Sequence, residues 1–228
     1  MPTFNALILE PATIEDILAL TEVWFAAFAH DPEIARLWPD TPRVHAWWND
    51  ANRGDMLAKP FQRFIKVIDP SAADARGRPR IAAWAKWDTS MPARRGRRYP
   101  PWCGDMPAEV CDAFFDREER ERERVMGKEK HYCELLFIRR RRVHRFGSFA
   151  NGTEGTDLDT LVTHPDYQRR GAGSMLLKWG CELADENGVG AYVDASKAGK
   201  GLYERFGFVD KSEADAGEVA SMARRRRS

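Results

Sequence analysis

The sequence predicts an α/β (α+β) fold, a mixed sheet flanked by helices. Three observations carry this reading. Short apolar runs bounded by turn residues alternate with helix-period segments along the chain. Two such runs, 64–68 and 81–87, flank a polar stretch and read as a hairpin. A third, 158–163, leads through a proline-stopped turn and a basic, glycine-bearing loop into a helix. At 228 residues and 43% apolar content, one domain with an ordinary core fits, 1–228.

Residues 5–10 are a short apolar segment ending at Pro11, the first strand. Thr13 is placed to cap the next helix, with Asp16 at the capping-box position. Ile14, Ile17, Leu18, Val23, Trp24, Phe25 and Phe28 recur at helical spacing; Asp31-Pro32 restarts the pattern and Trp38-Pro39 ends it. A further helix spans 42–57 with Val44, Trp47 and Trp48. The hairpin follows, with 69–80 as its polar turn, and 89–104, rich in Pro, Gly and Arg, reads as loop. A helix begins near Asp105 with Pro107 in its first turn. Its body, 112–130, is strongly charged: Asp116/Arg120 and Glu118/Arg122 stand at i,i+4, beside an apolar side of Phe114, Phe115, Val125 and Met126. A solvated helix face is the plainer account of that charge, and a protein-binding helix the sharper one.

Residues 134–138 are a short apolar run, 139–142 with Arg145 form a basic block, and 146–156 are rich in Gly, Ser and Asn. After strand 158–163 comes a helix over 173–186, with Met175, Leu176, Trp179 and Leu183 on one side and Gly188 as its stop. Strand 191–195, helix 200–206, strand 207–209 and a last short strand, 219–223, precede a basic tail, 224–228.

A net charge of +1 gives no general attraction to nucleic acid or membrane. The arginine blocks at 139–142 and 224–227 raise a nucleic-acid or nuclear-address reading, but they lack interleaved aromatic residues. No signal pattern and no run of about 18 apolar residues is present, so a cytoplasmic protein is expected, with the nucleus as the alternative. Cys103, Cys111, Cys133 and Cys181 form no CxxC pair and have no histidine at zinc spacing; reduced thiols and no metal are expected.

The stretch from Leu158 to Ser174 is the most informative. A helix N-terminus presents unpaired N–H groups and a positive dipole end, and glycines there let an anion approach the backbone. Arg169 and Arg170 add full charges. No lysine follows Gly173 as a P-loop requires, and position 176 is leucine where a dinucleotide fingerprint needs its third glycine. The spacing that fits is Gln168-x-x-Gly171-x-Gly173.

That spacing resembles motif A of the GNAT (GCN5-related N-acetyltransferase) superfamily. Leu202-Tyr-Glu-Arg-Phe-Gly-Phe208 is similar to the family's closing motif, and one helix and one strand separate the two, as in the family. Residues 163–174 and Trp84-x-x-Trp87 look most like fungal members. The resemblance is strong over 158–209 and loose before that. It implies a GNAT-like, mostly antiparallel sheet, acetyl-CoA as co-substrate, and acetyl transfer to a primary amine by direct attack. The expected acceptor is a small molecule; a protein N-terminus or lysine, or coenzyme A binding without catalysis, are the alternatives.

In that frame Gln168, Arg169, Arg170, Gly171, Ala172, Gly173 and Ser174 would hold the pyrophosphate, and main-chain groups of Leu161, Val162 and Thr163 would pair with the pantetheine arm. Tyr203 is the candidate general acid for the departing thiolate, against a reading in which its ring only packs on the cofactor. Ser196 stands where many members place an asparagine that contacts coenzyme A. Asp159 is the candidate base, directly or through a water, against a plain surface carboxylate; Asp157 and Glu134 are weaker. His164, before Pro165, reads as a turn residue, and Trp84 and Trp87 as core rather than a substrate cage.

The family runs from the preceding helix almost directly into the motif strand. Here His131-Tyr132 looks like the lead-in to Leu158, so 133–157 reads as an insertion or as translated intron sequence.

Overall fold

A computed structural model describes residues 6–89, 98–127, 131–132, 156–196, 199–213 and 219–226. Among the described residues, eight strands form one sheet in the order β1-β2-β3-β5-β6-β8-β7, with β4 pairing to β6. The strands are β1 (Ile8–Pro11), β2 (Gln62–Ala73), β3 (Pro79–Asp88), β4 (His131–Tyr132), β5 (Thr156–Thr163), β6 (Gly190–Ser196), β7 (Val209–Asp210) and β8 (Val219–Arg224). All pairings are antiparallel except those of β4 and β5 with β6. The expected mixed, mostly antiparallel sheet is therefore present.

Helices cover both faces. On one lie α1 (Ile17–Phe28), α2 (Pro32–Leu37), α3 (Pro42–Ala58) and α4 (Ala108–Met126). Their core is aromatic: Trp24, Trp38, Trp47, Trp48, Tyr99 and Phe115 pack together over Phe64, Trp84 and Val162 of the sheet. Trp84 is fully buried and donates from Nε1 to the Leu20 carbonyl at 2.9 Å, which fixes α1 on β3. On the other face α5 (Ala172–Glu186) and α6 (Lys200–Glu204) pack on Ala83, Ala85, Trp87, Ala191, Val193 and Ala195. The small residues let α5 come close. A Cβ built on Gly180 would lie 2.0 Å from the Trp87 ring, so glycine is required where helix and indole meet. Both tryptophans are thus core residues.

The expected capping box forms, with the Thr13 amide donating to Asp16 at 2.8 Å, but it opens a 3-10 turn (Ile14–Asp16) that runs into α1. The hairpin turn is tighter than 69–80. β2 runs on to Ala73 through a register shift between Asp69 and Ala73, and β3 begins at Pro79. Asp69 accepts from the Ser71 amide, Asp74 accepts from the amides of Arg76 and Arg78, and Gly77 takes φ +74°, so polar residues that look like turn formers continue the strands.

Two further expectations are corrected. The charged helix is not simply a solvated face: Cys111, Phe115, Glu118, Arg122, Val125 and Met126 of α4 form a buried stripe. Along it Glu119–Arg122 and Glu121–Arg124 pair at i,i+3, and Arg117 pairs with the adjacent Glu118. Arg224 is not tail. It ends β8 with 3% exposure, bonds Asp185 at 2.7 Å and donates to the Phe206 carbonyl. Of the expected insertion, 133–157, only Thr156 and Asp157 are described, both in β5. The basic block 139–142 and Glu134 lie outside the described residues. No described helix is long and apolar enough to cross a membrane.

Gly180→Ala should cost about 1–3 kcal/mol through overpacking against Trp87 and lower Tm by roughly 5 °C. An unchanged melting curve would mean that α5 does not rest on that ring.

Candidate active site

The site begins where two strands part. β5 and β6 pair only at Thr156↔Ala191 and Asp157↔Tyr192, yet β5 continues to Thr163 and β6 to Ser196. On its other side β5 stays paired to β3 as far as Ala83↔Thr163, with a register shift that skips Asp159. The bulge bends β5 and helps it diverge from β6. A main-chain edge at 160–163 is thereby left facing a cleft of about 1120 Å³.

One end of the cleft is the loop into α5. Pro165–Tyr167 form a 3-10 turn, the His164 side chain accepts from the Asp166 amide, and Arg169 (φ +60°) and Gly171 (φ +90°) take left-handed conformations. Such a backbone turns successive N–H groups to one side, and Gly171 directly precedes the helix N-terminus. Gly173 lets α5 begin against the sheet, since a Cβ there would meet Leu202 at 3.3 Å and Thr163 Oγ1 at 3.4 Å. His164 is thus a turn residue, its basicity lowered by burial and by Arg80.

Of the residues expected at the phosphates, Gln168, Arg169, Gly171, Ala172, Gly173 and Ser174 line the cleft. Arg170 takes another role. Its guanidinium lies 4.6 Å over the Tyr167 ring and 3.6 Å from Asp69, while Arg80 covers the same ring at 5.4 Å. Arg170 thus ties the loop back to the β2–β3 hairpin. A basic pair in sequence cannot show which member faces the ligand.

Leu161, Val162 and Thr163 line the cleft on β5, Ser196 lines it on β6, and Tyr203 lines it from α6. Ser196 Oγ accepts from the Gly199 amide at 3.3 Å, which shapes the turn into α6. Tyr203 is 6% exposed, its ring set edge-on to Phe208 at 5.8 Å, and burial alone pushes its hydroxyl well above the usual phenol value. The side chain of Asp159 lies outside the described residues.

The far end of the cleft was not legible as a site. Trp24, Phe28, Trp38, Trp48, Tyr99 and Phe115 make an aromatic wall there, bounded by the α1–α2 turn. The Arg98 guanidinium lies 5.2 Å over Tyr99 and 5.0 Å over Phe115, so these ring faces accept a cation from the chain itself. Glu118 and Arg122 of α4 and Tyr192 and Asp194 of β6 complete that end. The heptad-like recurrence of 111, 115, 118, 122 and 125 was the available signal, obscured because two of its members are charged.

Residues 134–210 match the family model for an acetyltransferase (GNAT) domain. An acetyltransferase of the fungus Stachybotrys chartarum is 35% identical over 74 residues, 30% of this chain and 32% of that protein, so the match spans about a third of the relative's length. Among solved structures, histone acetyltransferase HPA2 and related acetyltransferase from Corynebacterium glutamicum aligns with a TM-score of 0.54 at 19% identity, covering 98% of both chains. The PaiA N-acetyltransferase of Thermoplasma acidophilum, in complex with coenzyme A, aligns at 0.53 with 11% identity, covering 97% of this chain and 99% of that one.

Gly173→Glu should place a carboxylate among the helix N–H groups and weaken acetyl-CoA binding roughly 100-fold, about 2.7 kcal/mol, by calorimetry. Unaltered affinity would remove this loop from the binding site. The matched stretch is thus similar to an acetyltransferase (GNAT) domain, and the splayed strands and the glycine loop at the start of α5 belong to a fold shared with solved acetyltransferases.

Proposed function

We propose that the domain transfers the acetyl group of acetyl-CoA to a small primary amine by direct attack. The carrying observation is the cleft's two unlike ends, a glycine-bearing loop at a helix N-terminus on one side of the splay and an aromatic, carboxylate-bearing wall on the other. The residues present fit the co-substrate. Gly171 and Gly173 keep side chains off the first N–H groups of α5, Arg169 supplies charge, and the edge of β5 offers main-chain partners for an extended amide-bearing arm. Bound there, acetyl-CoA supplies an acetyl group already activated as a thioester.

The chain's own groups then have three tasks. The β5 edge aligns the reactants and turns an N–H toward the carbonyl oxygen, where charge develops. Tyr203, protonated at every working pH because burial raises its pKa, gives its proton to the departing thiolate and regains one from the acylated nitrogen. The aromatic wall holds the organic part of the acceptor and tolerates its positive charge. A wall of ring faces of this kind suits the organic part of a compact amine.

The test is thiol release from acetyl-CoA across 2-phenylethylamine, aliphatic amines, aniline and lysine-bearing peptides. Small amines should react, and Tyr203→Phe should lower kcat roughly 100-fold while leaving acetyl-CoA affinity within about twofold. Protein that binds acetyl-CoA and releases thiol with none of them is a non-catalytic binder. Release with peptides alone moves the acceptor to protein.

A further inference from the structure

A primary amine reaches the enzyme as an ammonium ion, which has no lone pair for attack. Something at the aromatic end of the cleft must take its proton. Glu118 projects there from the buried stripe of α4 and is 6% exposed. It hydrogen-bonds to Asp194, which stands on β6 two residues past the last rung shared with β5, where the strands have parted. Burial at this end of the cleft favours the protonated form of Glu118.

The surroundings tune that pair. Tyr192 donates its hydroxyl to Asp194 at 2.6 Å and also hydrogen-bonds Ser221 of β8. Arg117 of α4 pairs with Glu118 at 3.2 Å, and Arg98 adds positive potential from the segment before α4. Arg122 bonds Glu119 beside it, and Glu121 is bound by Arg124. Burial raises the Glu118 pKa against the hydrogen bond from Asp194 and the Arg117 charge, while Tyr192 is pushed up by burial and by Asp194 and stays protonated. A carboxylate with a raised pKa is a better match to an ammonium proton than an exposed one.

We propose that Glu118, hydrogen-bonded to Asp194, is the catalytic base that takes the proton from the acceptor ammonium. This rests on the acetyltransferase reading above. In the step, one N–H proton of R–NH3+ passes to the Glu118 carboxylate, which becomes neutral. The freed lone pair forms the C–N bond as the C–S bond breaks. A second nitrogen proton ends on the thiolate by way of Tyr203, and Glu118 returns its proton to solvent.

The experiment uses the full chain, acetyl-CoA, and two amines: 2-phenylethylamine, charged near neutral pH, and aniline, already neutral there. With the phenylethylamine, kcat/KM of the parent should fall as pH drops through the pKa of Glu118, which burial raises. Glu118→Gln should lower that value roughly 100-fold and abolish the acid limb, while leaving acetyl-CoA affinity and the aniline rate within about threefold. Asp159→Asn should keep the limb. Tyr192→Phe, which removes the hydroxyl that donates to Asp194 and so strengthens the negative potential Asp194 exerts on Glu118, should move the limb to higher pH, and it tests the pair even if Glu118→Gln folds poorly. The proposal is overturned if Glu118→Gln keeps the parent rate and limb, if it loses both amines and acetyl-CoA binding together, if Tyr192→Phe leaves the limb unmoved, or if the limb disappears in Asp159→Asn. A parent enzyme that acetylates neither amine defeats the acetyltransferase reading itself, a different result from any of these.

Discussion

The parting of β5 from β6 is the constraint on which the architecture depends. Two rungs of parallel ladder hold the strands at their start, and beyond Asp157↔Tyr192 each keeps a partner only on its outer side, β3 for one and β8 for the other. Unpaired main-chain groups inside a protein are costly, so a split of this kind persists only if something else can bond the exposed edges. The surrounding structure keeps it from closing. α5 and α6 pack below, with Gly173 against Thr163 and Leu202, and α4 packs above with Glu118 near Asp194. The outer strands are anchored by long ladders, so the gap cannot close without breaking either hairpin pairing or helix docking.

The aromatic face supplies the rigidity. Trp84 and Trp87 alternate across β3 and point to opposite layers, one bonded to α1 and the other flat against α5. Lys86, between them and 2% exposed, bonds Asp55 of α3 at 2.6 Å and lies near the faces of Phe64 and Tyr99. Removing one partner of such a buried pair leaves an uncompensated charge, so it fixes where α3 sits more than it adds net stability. Tyr99 belongs both to this cluster and to the cleft wall, which makes the acceptor end part of the core rather than a loop-built surface.

The parts legible in the sequence are those where local chemistry and global structure agree. The glycine loop, α5 with its apolar stripe and Gly188 stop, and the tryptophan-bearing hairpin all follow from spacing and turn chemistry. What was not legible shares one physical trait, polar residues used inside. Glu118 and Arg122 read as solvated because a single sequence carries no record of partners such as Asp194 and Glu119. Arg224 looked like tail until β8 placed it beside Asp185, and the residues after Asp69 looked like turn because their hydrogen bonds to Ser71 and Arg78 are local. Arg169 and Arg170 are neighbours of equal charge, and only the left-handed turn between them and Gly171 decides that one faces the cleft and the other grips Tyr167.

β4 and β5 meet β6 on neighbouring rungs. His131 and Tyr132 pair with Gly190 and Ala191, and Thr156 and Asp157 with Ala191 and Tyr192. β4 and β5 therefore meet β6 at nearly the same point and run in the same direction. For the sheet, the length of what lies between is close to irrelevant, because closing a loop between adjacent points costs only a logarithm of its length. The register of β5, and with it the position of the cleft edge, is set by β3 and β6 rather than by the preceding helix.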